Sequence, residues 1–102
     1  MPIVDMKDML EHASNNGYAV AAFDIHNLDM LDGVIDAAEQ SLSPLILNVN
    51  NDQLNLIMPC IETAAQSAKI PVAIQFKHAN SFDTSVMGIN NGCNSIMINV
   101  ED

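Results

Sequence analysis

The chain has 102 residues, 13 acidic against 3 basic, a formal net charge of −10, and 49% hydrophobic residues. That is one domain with an ordinary core, neither two domains nor a disordered chain. Lys7, Lys69 and Lys77 are the only basic residues and are scattered, so no basic patch for nucleic acid or an anionic membrane is expected. No apolar run of roughly 18 residues is present to span a bilayer.

The opening residues carry Asp5 and Asp8 and lack a basic n-region and an apolar h-region, so they read as no secretory signal. Instead the spacing predicts a leading helix over Asp5 to Asn15, ending at Gly17, with Met6, Met9, Leu10 and Ala13 on one face. A first apolar run, Ala19 to Ile25, follows. Asn27 is then a natural N-cap for a helix carrying Leu28, Leu31, Val34, Ile35, Ala38 and Leu42 inward. Asp29, Asp32, Asp36 and Glu39 fall on its solvent side, and the carboxylates of the first turn complement the helix dipole. Pro44 to Asn50 is the second apolar run. A second such helix is predicted from near Pro59, whose missing N–H is harmless at a first helical position, to before Pro71, with Ile61, Ala64, Ala65 and Ala68 inward. Pro71 to Lys77 is the third run. A third such helix, Ser81 to Asn91, is capped by Asn80 or Ser81 and closed by Gly92. Asn94 to Val100 is the last run.

The four runs are nearly continuous in hydrophobicity rather than alternating, as in parallel strands covered on both faces. Strand and helix alternate at intervals of roughly 25 residues, the length of a crossover unit. The fold class is therefore α/β, an N-terminal helix plus (βα)3β forming a single domain over residues 1–102. Periodicity alone leaves two architectures open, a four-stranded open sheet and half of an eight-stranded barrel. Cys60 and Cys93 lie far apart and outside any Cys-x-x-Cys pair, which reads as two reduced thiols of a cytoplasmic protein.

In parallel α/β folds chemistry gathers at the C-terminal ends of the strands. Those ends are polar here: Asp24, His26 and Asn27; Asn48, Asn50, Asn51 and Asp52; Lys77, His78 and Asn80; Asn99, Glu101 and Asp102. Strand ends running into loops are polar in most proteins, so polarity alone assigns no role. His78 has the chemistry of a metal ligand, with His26 as a second if the strands are neighbours. Lys77 is a counter-ion to the surrounding carboxylates, or a Schiff-base nucleophile if burial lowers its pKa. No glycine-rich phosphate loop and no Ser-His-Asp or Cys-His constellation is legible.

The strings Gly17-Tyr-Ala-Val-Ala-Ala-Phe-Asp-Ile-His-Asn-Leu-Asp29, Ser43-Pro-Leu-Ile-Leu47 and Ile70-Pro-Val-Ala-Ile-Gln-Phe-Lys-His78, with Met6-Lys-Asp-Met-Leu10, Ser81-Phe-Asp83 and Ser95-Ile-Met-Ile98, resemble the N-terminal part of the class II, zinc-dependent ketose-bisphosphate aldolases. Ile25-His26-Asn27 leans toward the tagatose-type subgroup. The resemblance covers nearly the whole chain but only about the first third of a typical family member. It implies the first half of a (β/α)8 barrel, aldol cleavage of fructose- or tagatose-1,6-bisphosphate to triose phosphates in glycolysis or related carbohydrate metabolism, and zinc as cofactor.

The same resemblance places His78 as the first zinc ligand and Lys77 at the position of the catalytic acid/base Asp. It places Asp24, Asn27, Asn50 and Asn99 as substrate-binding positions; Asp24, Asn50 and Asn99 stand where Asn, Ser and Asp are usual, and Ala79 where Gly is usual. Zinc chemistry needs several ligands and a carboxylate in reach of the hydroxyl proton. An ammonium at position 77 removes that base and sets a cation beside a cation. The expectation is a truncated aldolase relative, impaired or inactive alone. The alternative is a pseudoenzyme, a half-barrel remnant serving as a binding module. A half-barrel leaves two sheet edges and an apolar face open, so the partners expected are a sugar phosphate and a homodimer or other polypeptide covering the open side.

Overall fold

The computed structural model describes residues 3–50, 54–79, 89, 93 and 95–98, and side chains for all of these except 54–56, 77–79, 96 and 98. Helix α1 spans Met6–Asn16, strand β1 Ala21–Asp24, α2 Leu28–Ser41, β2 Leu45–Val49, α3 Leu54–Ser67, β3 Val72–Ala79 and β4 Ser95–Ile98. The four strands form one sheet in the order β1-β2-β3-β4, with every neighbouring pair parallel. The expected α/β class and crossover order hold. The helix predicted over Ser81 to Asn91 lies outside the described residues apart from Ile89, which is helical and exposed.

The sheet's two faces separate by alternation along the strands. Leu45, Leu47, Val49, Val72, Ile74 and Phe76 share the larger core cluster with Leu31, Ile35 and Ala38 of α2 and Ile57, Met58, Ile61 and Ala65 of α3. Ile46 and Ala73, on the opposite face, pack with Met9 of α1 and the partly buried Val4, Met6 and Val20. So α2 and α3 cover one face, and α1 closes the other near the strands' N-terminal ends. Each fully buried Leu, Ile or Phe contributes about 1.5–3 kcal/mol by area. Ile3 and Val4 run beside the start of β3: Ile3 bridges Val72, and the Val4 N–H donates to the Val72 carbonyl at 2.8 Å.

Helix ends follow the local chemistry. Asp5 caps α1 by accepting from the Lys7 N–H, and Gly17 ends it at φ 72°, where a side chain would be strained. Asn27 caps α2 as expected, its Oδ1 accepting from the Met30 N–H at 2.8 Å. Leu42 ends α2 in the same left-handed region, at φ 53°.

Several expectations need correction. Leu10 and Leu28 are largely exposed, and Leu42, 83% exposed, is the cap residue rather than an inward one. Glu39 does not simply face solvent: its Oε2 accepts from the Lys69 N–H at 2.8 Å, tying α2 to the turn before β3. Helix α3 begins before Pro59 and carries it internally. The lost hydrogen bond is tolerated because Met58 and Ile61 on either side are buried in the core.

Candidate functional site

Strand register sets the site. Asp24 pairs with Asn48, Asn48 with Gln75, and Gln75 with Ser95, so one polar rung crosses all four strands. It lies on the face opposite α2 and α3, because Leu47 and Val49 flank Asn48, and Ile74 and Phe76 flank Gln75, and all four face the helices. Asn48 and Gln75 are buried and Asp24 is half-buried. The Asn48 Nδ2 donates to Asp24 Oδ1 at 3.2 Å. Among the described residues the buried Asn48 Oδ1 has no hydrogen-bond partner. An unmet acceptor of this kind costs about 1–3 kcal/mol.

Lys77 and His78 do not lie past β3 but inside it, because the strand runs on to Ala79. Opposite β4 the ladder shifts: Phe76 pairs with Ile96 and Ala79 with Ile98. Three steps on β3 therefore match two on β4, which puts one extra residue at Lys77–His78, a β-bulge. In a regular strand consecutive residues take opposite faces. A bulge interrupts that regularity of the ladder. No periodicity in the sequence signals it.

The remaining expected site residues are dispersed along the rim. Asn50 follows β2 and is half-buried. Asn27 spends its carbonyl on capping α2 and keeps only its amide donors for a ligand. His26 is exposed between β1 and α2. Asn51, Asp52, Asn80, Asn99, Glu101 and Asp102 lie outside the described residues. Gln75 was not singled out from the sequence, although a polar residue at the centre of an apolar strand is the one available signal for it.

Both cysteines are free, Cys60 exposed and Cys93 buried. Burial, with a smaller contribution from the Glu62 carboxylate, pushes the Cys93 thiol up to about 11. It is protonated at neutral pH and unsuited to metal or nucleophilic work. Among the described residues no three His, Cys, Asp or Glu side chains come together to hold a metal ion. The side chain of His78, the zinc ligand that the family resemblance implies, lies outside those described. A cavity of about 700 Å³ lies away from this rim, its lining including Met9, His12, Tyr18, Pro44 and Pro71 at the strands' N-terminal ends.

Four parallel strands with covering helices on one face and a polar rung on the other define part of an α/β barrel. Residues 4–101 match the family fructose-bisphosphate aldolase class-II, and the chain belongs to that family. It is 33% identical to the probable fructose-bisphosphate aldolase of Bacillus subtilis (strain 168), over 96% of this chain and 37% of that protein. It is 32% identical to the class 2 fructose-bisphosphate aldolase of Synechocystis sp., over 96% of this chain and 29% of that protein. Among solved structures, the YdjI aldolase of Escherichia coli K12 superposes with a TM-score of 0.87 at 31% identity, covering 94% of this chain and 38% of that one. The chain thus spans between 29% and 38% of the proteins named here, and of the two architectures left open by periodicity the half-barrel stands. No helix among the described residues is long and apolar enough to cross a membrane.

Proposed function

We propose that this chain is the N-terminal part of a class II ketose-1,6-bisphosphate aldolase barrel, and that alone it cleaves fructose- or tagatose-1,6-bisphosphate poorly or not at all. The observation that carries the reading is the match over residues 4–101 joined to coverage of only 37% of the relative. An eight-stranded barrel assembles its site from the ends of several strands on both sides. Four strands supply half of that rim. In this reading His78 is the contribution to zinc binding, and Asp24, Asn27, Asn50 and Asn99 face the sugar phosphate. Lys77 stands where the acid/base is expected. An ammonium is no base at neutral pH unless burial depresses it. The other zinc donors come from the polypeptide that completes the barrel. A cytoplasmic location belongs to the same reading, supported by two free cysteines.

The second reading, a non-catalytic half-barrel that binds a partner or a sugar phosphate, is favoured by Lys77 itself. An aldol-cleavage assay with added zinc separates the two. Turnover that is abolished by a chelator and by His78→Ala establishes an enzyme. No turnover, either from the chain as it stands or from Lys77→Asp, supports the non-catalytic reading of the isolated chain.

A further inference from the structure

The cavity of about 700 Å³ at the strands' N-terminal ends has no part in the reading above. Its size falls within the roughly 300–1,000 Å³ of small-molecule sites. The fold fixes its walls. Met9, part of the lining, is buried with Ile46 and Ala73. The Val4 N–H donates to the Val72 carbonyl at 2.8 Å, which holds the start of α1 to β3. The Leu45 N–H donates to the Pro71 carbonyl at 3.0 Å, which ties the turn before β2 to the turn before β3. A cavity with walls held in this way is formed before a ligand arrives, so binding bears little ordering cost.

Part of the lining is polar. Asp8 and His12 stand four residues apart on α1 and so share a face. His12 Nδ1 and the Tyr18 hydroxyl form a hydrogen bond of 2.7 Å, and the two rings meet edge to face with centroids 5.8 Å apart. That contact positions the Tyr18 ring, which remains 36% exposed at the cavity. The rest is mainly apolar and includes Leu42, Pro44 and Pro71. Leu42 takes φ 53° with its side chain 83% exposed, a left-handed leucine whose own packing offsets little of its strain. An apolar body in the cavity would cover it.

The charge of the lining selects the ligand. Among the described residues no Lys or Arg lines the cavity, so it lacks the groups that hold a sugar phosphate or another anion. A carboxylate and a phenol ring beside apolar surface suit the opposite charge: the carboxylate attracts an ammonium, and so does the ring face. The chain's net charge of −10 draws cations to it as well.

We propose that this cavity binds a small organic cation, an amine joined to a flat apolar body, with Asp8 facing the ammonium and Leu42 covering the body. The site lies at the opposite end of the strands from Asp24 and Asn50, and the proposal does not depend on the aldolase reading.

The test titrates the full 102-residue chain, 15N-labelled, with tryptamine and with indole-3-propionate, which keeps the ring and replaces the ammonium by a carboxylate. Tryptamine is expected to shift the His12, Tyr18 and Leu42 amide resonances saturably, with a Kd on the order of 1 mM or below, and to leave Asp24 and Asn48 unmoved. It is expected to bind at least about fivefold tighter than indole-3-propionate, the margin narrowing with salt. Asp8→Asn is expected to erase that preference with an unchanged circular dichroism spectrum. Leu42→Gly is expected to weaken both ligands at least about fivefold although the free chain's Tm does not fall, which separates lost contact from lost folding.

Equal affinity for the two indoles, preference for the carboxylate, indifference to Asp8→Asn or to Leu42→Gly, or no saturable shift overturns the proposal. So does movement of the same amides when the ligand-free chain is diluted, because the occupant is then a second copy. Aldol cleavage is not read in this titration, so failure here leaves the aldolase reading standing, and failure of the cleavage assay leaves this site standing.

Discussion

Asn48 is the residue where the chain's stability and its chemistry meet. Its amide nitrogen serves Asp24, while its buried oxygen has no partner among the described residues. Replacing the amide by an apolar side chain of similar width removes the unmet acceptor, and the half-exposed Asp24 recovers water. Asn48→Val is therefore expected to stabilise the chain by about 1 kcal/mol in urea unfolding. Asn48→Asp sets a second carboxylate beside Asp24 in a buried position and is expected to destabilise by about 2 kcal/mol or more at pH 7 in urea unfolding.

Cys93 gives a second prediction at this scale. Its thiol is raised from an ordinary value of 9.0 to about 11 in the folded chain. The native state then holds its proton over a range in which the unfolded state has lost it. The stabilisation is complete below pH 9 and is lost as the pH rises toward 11. Maleimide at pH 7.5 is expected to label the exposed Cys60 in the folded protein and Cys93 only in denaturant, which mass spectrometry of the two peptides reads directly.

Among the elements, α2 is the most constrained. Its inward face is buried, Asn27 caps its start, and Glu39 fastens its last turns to the Lys69 backbone. Its end is nevertheless costly. Leu42 takes φ 53° with its side chain 83% exposed, so the chain bears left-handed strain and gains little burial in return. Leu42→Gly is expected to raise stability by about 1 kcal/mol, read as a higher Tm. Gly17, which closes α1 at φ 72°, is the internal control: Gly17→Ala is expected to lower stability by about the same amount although its Cβ has open space.

At the scale of the molecule, protection is uneven. β2 and the first five residues of β3 are buried, whereas β1 is largely exposed. Amide exchange by NMR is expected to be slowest in β2 and β3 and much faster in β1, which pairs with one strand only among those described. Addition of a polypeptide that completes the barrel should slow the β1 amides selectively. If β1 is already as protected as β2 in the free chain, something else covers that edge.

Much of this architecture was legible in the residues. Four apolar runs separated by capped amphipathic segments define parallel strands with crossovers, because only that alternation lets continuous apolar strands be covered on both faces. Asn27 announced itself as a cap through its side-chain chemistry, and the strings around Phe23, Leu47 and His78 carried the family. Local pattern failed where an element's limits depend on its neighbours. It started α3 at Pro59 because it could not weigh a lost backbone bond against the burial of Met58 and Ile61. It ended β3 at Lys77 because the pairing that extends the strand to Ala79 comes from β4.

The sequence by itself determined the class, the succession of elements along the chain and the family, because these follow from periodicity, caps and short strings that each residue's own chemistry dictates. Only the tertiary structure decided the rest: the polar rung from Asp24 to Ser95 and the bulge at Lys77–His78. Both depend on register between strands distant in the chain, which no single segment encodes.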